Sequence, residues 1–240
     1  MKPFLYFDNW HEPQPPTRFD TALAASGLEV VRVRTNDGEF PDGAEFCGAY
    51  VSPSFDGAYD DKPWIHQEHD VLRALADAGV PMLGLCFGCQ ILASSLCGRD
   101  QVVIRDEREK GYGAIALTEH ARRADPLTKG MPETVPVFHW HGDEVRVGHP
   151  DIVVLASSDD CPNQIWRWRH GPVWGVQPHP EFDRAQLVDW FTSNQDMFVS
   201  NGFDHEQLVS RADDHEVAGQ LIGNFLAYVR DRQAANVTGE

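Results

Sequence analysis

Two hundred and forty residues, 42% of them hydrophobic, suffice for one well-buried domain and exclude a disordered or fibrous chain. Thirty-seven acidic against twenty basic residues leave a formal charge of −17, which repels nucleic-acid phosphates and anionic membrane surfaces. Five cysteines, an odd number, and an N-terminus (Met-Lys-Pro-Phe-Leu-Tyr-Phe-Asp) without the apolar length of a signal peptide point to a reducing cytoplasm.

In chain order, Phe4 to Phe7 reads as a short apolar strand and Thr17 to Ser26 as a helix ended by Gly27. Leu28 to Val33 and Cys47 to Val51 are further strands, and Lys62 to Ala78 is a helix stopped at Gly79. Strands and helices alternating at this pitch predict an α/β fold: a doubly wound, mostly parallel sheet whose ligands bind beyond the strands' carboxyl ends.

Residues 79 to 98 carry no charge, a length that could cross a bilayer. Pro81, Gly84, Gly88, Gln90, Ser94 and Ser95 break or wet the run, which divides into a strand (Val80 to Leu85), a turn (Cys86 to Gly88) and a helix (Cys89 to Leu96). Strand, glycine-flanked turn and helix make the shape of a nucleophile elbow with Cys86 at its tip, where the helix N-terminus favours thiolate. Two other readings of Cys86 stand beside this one: a buried small apolar side chain, and one half of a Cys86-x-x-Cys89 redox pair. A base elsewhere in the chain would decide between them.

Past Gly98, short β-rich segments (Val102 to Ile104, Ala114 to Thr118, Val135 to His139, Ile152 to Ala156, Gln164 to Trp168, Val173 to Gln177) suggest antiparallel strands added beside the parallel core. His139 and His141 alternate along one of them, but no third ligand stands at a supporting spacing, so no metal site is expected. Trp166, Trp168 and Trp174 read as sheet packing. Helices follow over Asp183 to Gln195 and Glu216 to Asp231. A single domain over 1–232 is expected, with 233–240 a frayed, flexible tail.

The base is offered by Val173 to Phe182, an apolar strand that ends in His179 between two prolines, with Glu181 two residues on. A thiol needs a base, and the base needs a group that fixes its tautomer and offsets its charge. His179 and Glu181 have the right types for both roles.

Gly-Leu-Cys-Phe-Gly-Cys-Gln (84 to 90) resembles the G-x-C-x-G-x-Q motif of class I, triad-type glutamine amidotransferases, and Gly175 to Phe182 resembles their closing G-x-Q-x-H-P-E motif. Glu109-Lys110-Gly111-Tyr112, Phe138 to Asp143 and the loop Ser52 to Ile65 are similar to motifs of the stand-alone subgroup related to the glutaminase part of GMP synthase. The resemblance implies the flavodoxin-like fold of that family, and implies that Cys86 attacks the glutamine side-chain amide, His179 acts as base and then acid, and Glu181 orients it. It further implies oxyanion contacts from the backbone of Phe87 and of the 52 to 57 loop at Ser54, and substrate contacts from Gln90 with backbone of Trp140 to Asp143, Gly142 included.

The implied reaction passes through a γ-glutamyl thioester to glutamate and ammonia, with no cofactor. Any synthase that uses the ammonia would act in trans, since no P-loop or ATP-binding synthase segment is present. A γ-glutamyl peptide or amide hydrolase with the same three residues, and a catalytically weak, redox-regulated member of the fold, are the alternatives. They are raised by two departures from the pattern: Pro53, which has no N–H, where glycines are usual, and Cys89 where the subgroup commonly has His.

Overall fold

The computed structural model describes residues 1–43 and 45–238. The first half is built from β1 (Phe4–Asp8), α1 (Arg18–Ala25), β2 (Val30–Arg34), β3 (Gly48–Val51), α2 (Pro63–Asp77), β4 (Met82–Leu85) and α3 (Phe87–Cys97). Each helix starts where its local chemistry dictates. Thr17 caps α1 through a reciprocal pair with Asp20, and Pro63, which needs no N–H partner, takes the first position of α2. The second half contributes β5 (Val102–Leu117), α4 (Glu119–Ala124), β6 (Thr134–Val145), β7 (Ile152–Ser157), β8 (Ile165–Trp168), β9 (Val173–Val176), α5 (Arg184–Ser193), α6 (Gln195–Ser200), α7 (His205–Ser210) and α8 (Glu216–Thr238).

One nine-stranded sheet runs through the molecule in the order β2-β1-β3-β4-β9-β8-β7-β5-β6. The first five are parallel and the rest antiparallel, the mixed α/β architecture expected. β1, β3, β4 and β9 are buried along their whole length, as a parallel sheet covered on both faces requires. Side chains alternate across it. Phe4, Tyr6, Tyr50 and Trp174 pack under α1 and α8, while Leu5, Phe7, Met82 and Trp166 pack under α2 and α3. A smaller aromatic cluster of Phe138, Phe191 and Phe198 ties α5, α6 and α7 to β6.

Four expectations are corrected. Val173 to Gln177 does not belong to the antiparallel extension. β9 returns to the core and lies parallel to β4, Leu85 paired with Val176. The two segments at 102–104 and 114–118 are one long strand, β5, which passes an irregularity between Ile104 and Glu109 because its partner β6 is nearly as long. The elbow helix starts at Phe87, not Cys89, which makes Cys86 its N-cap. At the other end, α8 runs through Thr238, beyond the helix end expected at Asp231; residues 239 and 240 lie outside the described residues. Among the described residues no helix is long and apolar enough to cross a membrane.

Candidate active site

The register of β4 and β9 brings two remote segments to one place. Cys86 follows β4, His179 follows β9, and the Cys86 N–H donates to Val176 O at 2.9 Å. Cys86 holds φ 50° and ψ −108°, a left-handed conformation that side chains rarely adopt. Its flanking glycines make that turn possible. A Cβ on Gly84 would lie 2.2 Å from Gly88 O, and one on Gly88 would lie 2.1 Å from Val51 O. Neither position has room for any side chain.

The His179 backbone N–H donates to Phe138 O at 2.9 Å, which fixes the turn after β9 to β6. Nδ1 of the ring lies 2.7 Å from Glu181 Oε1, and both side chains are buried. The ring also stacks on Phe182, which stacks in turn on Trp190. Burial alone would strip the imidazole of its proton. The charge of Glu181, then the charge and hydrogen bonding of Cys86, outweigh it and hold the ring well above the usual histidine range. With Nδ1 committed to the carboxylate, Nε2 is the nitrogen left for exchange with the sulfur.

The thiol opens on a pocket of about 280 Å3, at the small end of ligand sites, lined among others by Ser54, Gln90, Arg108, Trp140, Gly142 and Asp143. Cys86 Sγ sits 3.9 Å from Trp140 O. Gln90 is nearly enclosed, its amide donating to Asp143 O and to Gln177 Oε1, both at 3.3 Å. Phe87 is the first residue of α3, so its N–H belongs to the turn that no carbonyl of the helix itself satisfies. Of the residues singled out from the sequence, Ser54, Cys86, Gln90, Trp140 and Gly142 line this pocket; Phe87 follows Cys86 in the chain, and Glu181 lines a separate pocket with Phe182 and Trp190.

Beneath the 52–57 loop runs a buried chain that sequence reasoning missed. The Asn9 backbone N–H donates to Ser52 Oγ at 2.9 Å, and its side-chain amide donates to Glu68 Oε1 at 3.2 Å. Glu68 is fully enclosed, and burial pushes its carboxyl up to about 8 despite the amide of Asn9. No local signal marked Glu68, which looks from the sequence like one more charged residue of α2.

Cys89 faces away from the cleft. It is wholly buried, its sulfur accepts the Trp166 indole N–H at 3.1 Å, and burial drives its thiol well up. Trp166 in turn leaves no room for a Cβ at Gly175, 2.3 Å from the indole nitrogen. Among the described residues all five cysteines are free.

β6 carries a second cluster. His139 and His141 share a face of the strand with Glu109 of β5 across from them. Glu109 thus supplies the third donor that sequence spacing lacked. Burial pushes the His139 ring down to about 4 against the pull of Glu109. Burial also works to raise the Glu109 carboxyl, but the His141 hydrogen bond and the neighbouring imidazoles hold it below the usual range.

The class-I glutamine amidotransferase family profile matches residues 20–194. A GMP synthase (glutamine-hydrolyzing) subunit of Methanospirillum hungatei is 34% identical over 105 residues, 43% of this chain and 52% of that protein. GMP synthase (glutamine-hydrolyzing) of Serratia proteamaculans is 38% identical over 108 residues, 43% of this chain and 20% of that protein. The match thus spans about half of the first relative and a fifth of the second. Among solved structures, a glutamine amidotransferase from Thermotoga maritima superposes with a TM-score of 0.81 at 19% identity, over 95% of this chain and 97% of that one. One from Methylobacillus flagellatus superposes with 0.80 at 18%, over 95% of each. The strand order, the strained cysteine turn and the profile agree: the chain belongs to the class-I glutamine amidotransferase family.

Proposed function

We propose that the chain hydrolyses the side-chain amide of glutamine to glutamate and ammonia, with Cys86, His179 and Glu181 as the catalytic triad. The observation that carries this reading is the strained Cys86 at the end of β4 beside His179 at the end of β9, with Glu181 2.7 Å behind the ring. The Cys86 thiol gives its proton to His179 Nε2, and the thiolate attacks the amide carbon. The C–N bond breaks as His179 returns the proton to the departing nitrogen, which leaves as ammonia and a γ-glutamyl thioester behind. A water then loses a proton to His179 and attacks the thioester carbon. The C–S bond breaks, the thiolate regains its proton, and glutamate leaves.

The oxyanion that forms in both halves is met by the Phe87 N–H at the start of α3 and by the Ser54 N–H, which lies one residue past Pro53 on the pocket wall. Gln90, with the backbone of Trp140 to Asp143, holds the α-amino and α-carboxylate groups. The relatives named above are a glutamine-hydrolysing GMP synthase and a subunit of such an enzyme, which supports a synthase partner in trans as the consumer of the ammonia. A second reading keeps the triad and changes the leaving group to the amine of a γ-glutamyl peptide or amide; it is favoured by the pocket's extension past Cys86 to Arg108 and Lys110. The burial of Cys89 favours packing over a redox role.

The test is ammonia release from glutamine and from γ-glutamyl dipeptides by the isolated chain, with Cys86→Ala as control. Turnover of glutamine that vanishes in Cys86→Ala supports the first reading, and turnover of dipeptides alone supports the second. No turnover of either, together with failure of Cys86 to react with a glutamine-mimicking chloroketone, sinks both.

A further inference from the structure

The second histidine cluster has the donor set of a metal site and contacts that its protein groups alone leave unmatched. Glu109 pairs directly across from His141 in the antiparallel register, and Gly111 pairs with His139. His141 Nε2 lies 2.9 Å from Glu109 Oε2, His139 Nε2 lies 3.5 Å from Glu109 Oε1, and all three donor atoms fall within 4.8 Å of one another.

The tautomer of His141 is set from its far side. Nδ1 lies 2.9 Å from Asp143 O, and a carbonyl only accepts, so Nδ1 carries the proton. In the neutral ring Nε2 is then a lone pair that points at a carboxylate oxygen, acceptor against acceptor. An N–H committed to a carbonyl on one side with a bare nitrogen on the other is how metal-bound imidazoles are held. The carboxylate is braced in the same manner: Gln164 Nε2 donates to Oε2 at 2.8 Å and Ser158 Oγ to Oε1 at 3.2 Å.

An independent observation points the same way. His139 is 2% exposed and neither ring nitrogen has a hydrogen-bond partner, an arrangement that is normally destabilising. Gln164 Oε1, from the same cluster, is likewise buried without a partner. An extra proton on His141 would satisfy the His141–Glu109 contact but would leave both nitrogens of His139 as they are; a cation shared by all three satisfies that contact and the His139 Nε2 together. Two imidazole nitrogens and one carboxylate select a borderline divalent ion over magnesium or calcium.

We propose that Glu109, His139 and His141 form a binding site for one divalent transition metal ion of the zinc type. Its place gives it a structural role. Between and beside its ligands, β6 presents the Phe138 carbonyl to the His179 N–H, the Trp140 carbonyl to the Cys86 sulfur and the Asp143 carbonyl to Gln90. An ion that ties β5 to β6 just past the irregularity at Ile104–Glu109 holds that row of carbonyls in register.

The test uses the full chain carrying Cys86→Ser, so that the pocket thiol cannot bind metal, stripped with a chelator and titrated with Co2+ and then Zn2+. The expected result is one equivalent of Co2+ with visible bands of nitrogen and oxygen ligation, its displacement by Zn2+, and a thermal midpoint several degrees higher with metal. Glu109→Gln and His139→Gln should each weaken binding by at least about 100-fold, and Ser158→Ala by about 10- to 100-fold. The proposal is overturned by a parent protein that retains no metal and gains no stability from it, by binding unchanged in His139→Gln, or by thiolate charge-transfer bands. If His139→Gln does not fold, the parent titration and Ser158→Ala decide the matter alone.

Discussion

Two imidazoles near Phe138 each face a carboxylate, and they end in opposite states. His179 meets Glu181 at 2.7 Å and has the Cys86 sulfur on its other side, so it is held well above the ordinary histidine range. His139 stands 3.5 Å from Glu109, which is already shared with His141, Gln164 and Ser158, and burial takes its ring down to about 4. A neighbouring acid therefore does not by itself make a base. What decides is whether the acid's charge is undivided and whether a second anion waits beyond the far nitrogen.

The contrast is tested most severely by neutralising each acid in turn. Glu181→Gln should lower the glutaminase rate by about 10^3-fold or more, since it leaves the ring in place without its charge partner, whereas Glu109→Gln should cost less than about tenfold in steady-state assays. Because Glu181 raises the His179 affinity for its proton, Glu181→Gln should also move the alkaline limb of the pH–rate profile to lower pH. Equal losses in the two variants would sink the distinction.

Next in size is the turn itself. Gly88→Ala places a carbon 2.1 Å from Val51 O, a backbone atom that cannot step aside, and Gly84→Ala does the same against Gly88 O. Each should reduce activity at least about 100-fold and lower the thermal midpoint by several degrees. A Gly88→Ala protein with unchanged activity would show that the strained conformation is dispensable.

Glu68 adds an acid that has no imidazole. Its folded carboxyl titrates at about 8 against an ordinary 4.5, so the folded state keeps a proton that the unfolded chain has lost across that window, and stability falls as pH rises from 4.5 toward 8. Glu68→Gln keeps the acceptor for Asn9 and removes the ionisation. Its denaturant midpoint should match wild type near pH 4.5 and exceed it progressively up to pH 8; parallel curves would refute the shift. The smallest effect is expected from Cys89→Ala, within about threefold of wild-type activity and destabilised by about 1–2 kcal/mol in urea unfolding for the lost packing.

The parts of the candidate site written in contiguous residues could be proposed without coordinates. Gly84 to Gln90 and His179 to Glu181 are local turns whose residue types have few other uses, and the apolar strands β1, β3 and β4 announce a covered parallel sheet. Pairing between distant strands was not legible. Nothing in Val173 to Val176 says whether it runs with or against its neighbour, and nothing near residue 109 says that its carboxylate ends opposite His141, since register depends on the whole course of β5 and β6. The start of α3 was misplaced for a related reason: periodicity marks the apolar face of a helix, while its first turn is set by the strain at Cys86.

The insertion of β9 next to β4 bears on synthesis. A ribosome delivers the sulfur long before it delivers the ring, and the place beside β4 that β9 fills stays empty until residues 173–176 have been made. Until then the Cys86 N–H lacks its Val176 acceptor, so the strained turn is completed only when the last parallel strand docks.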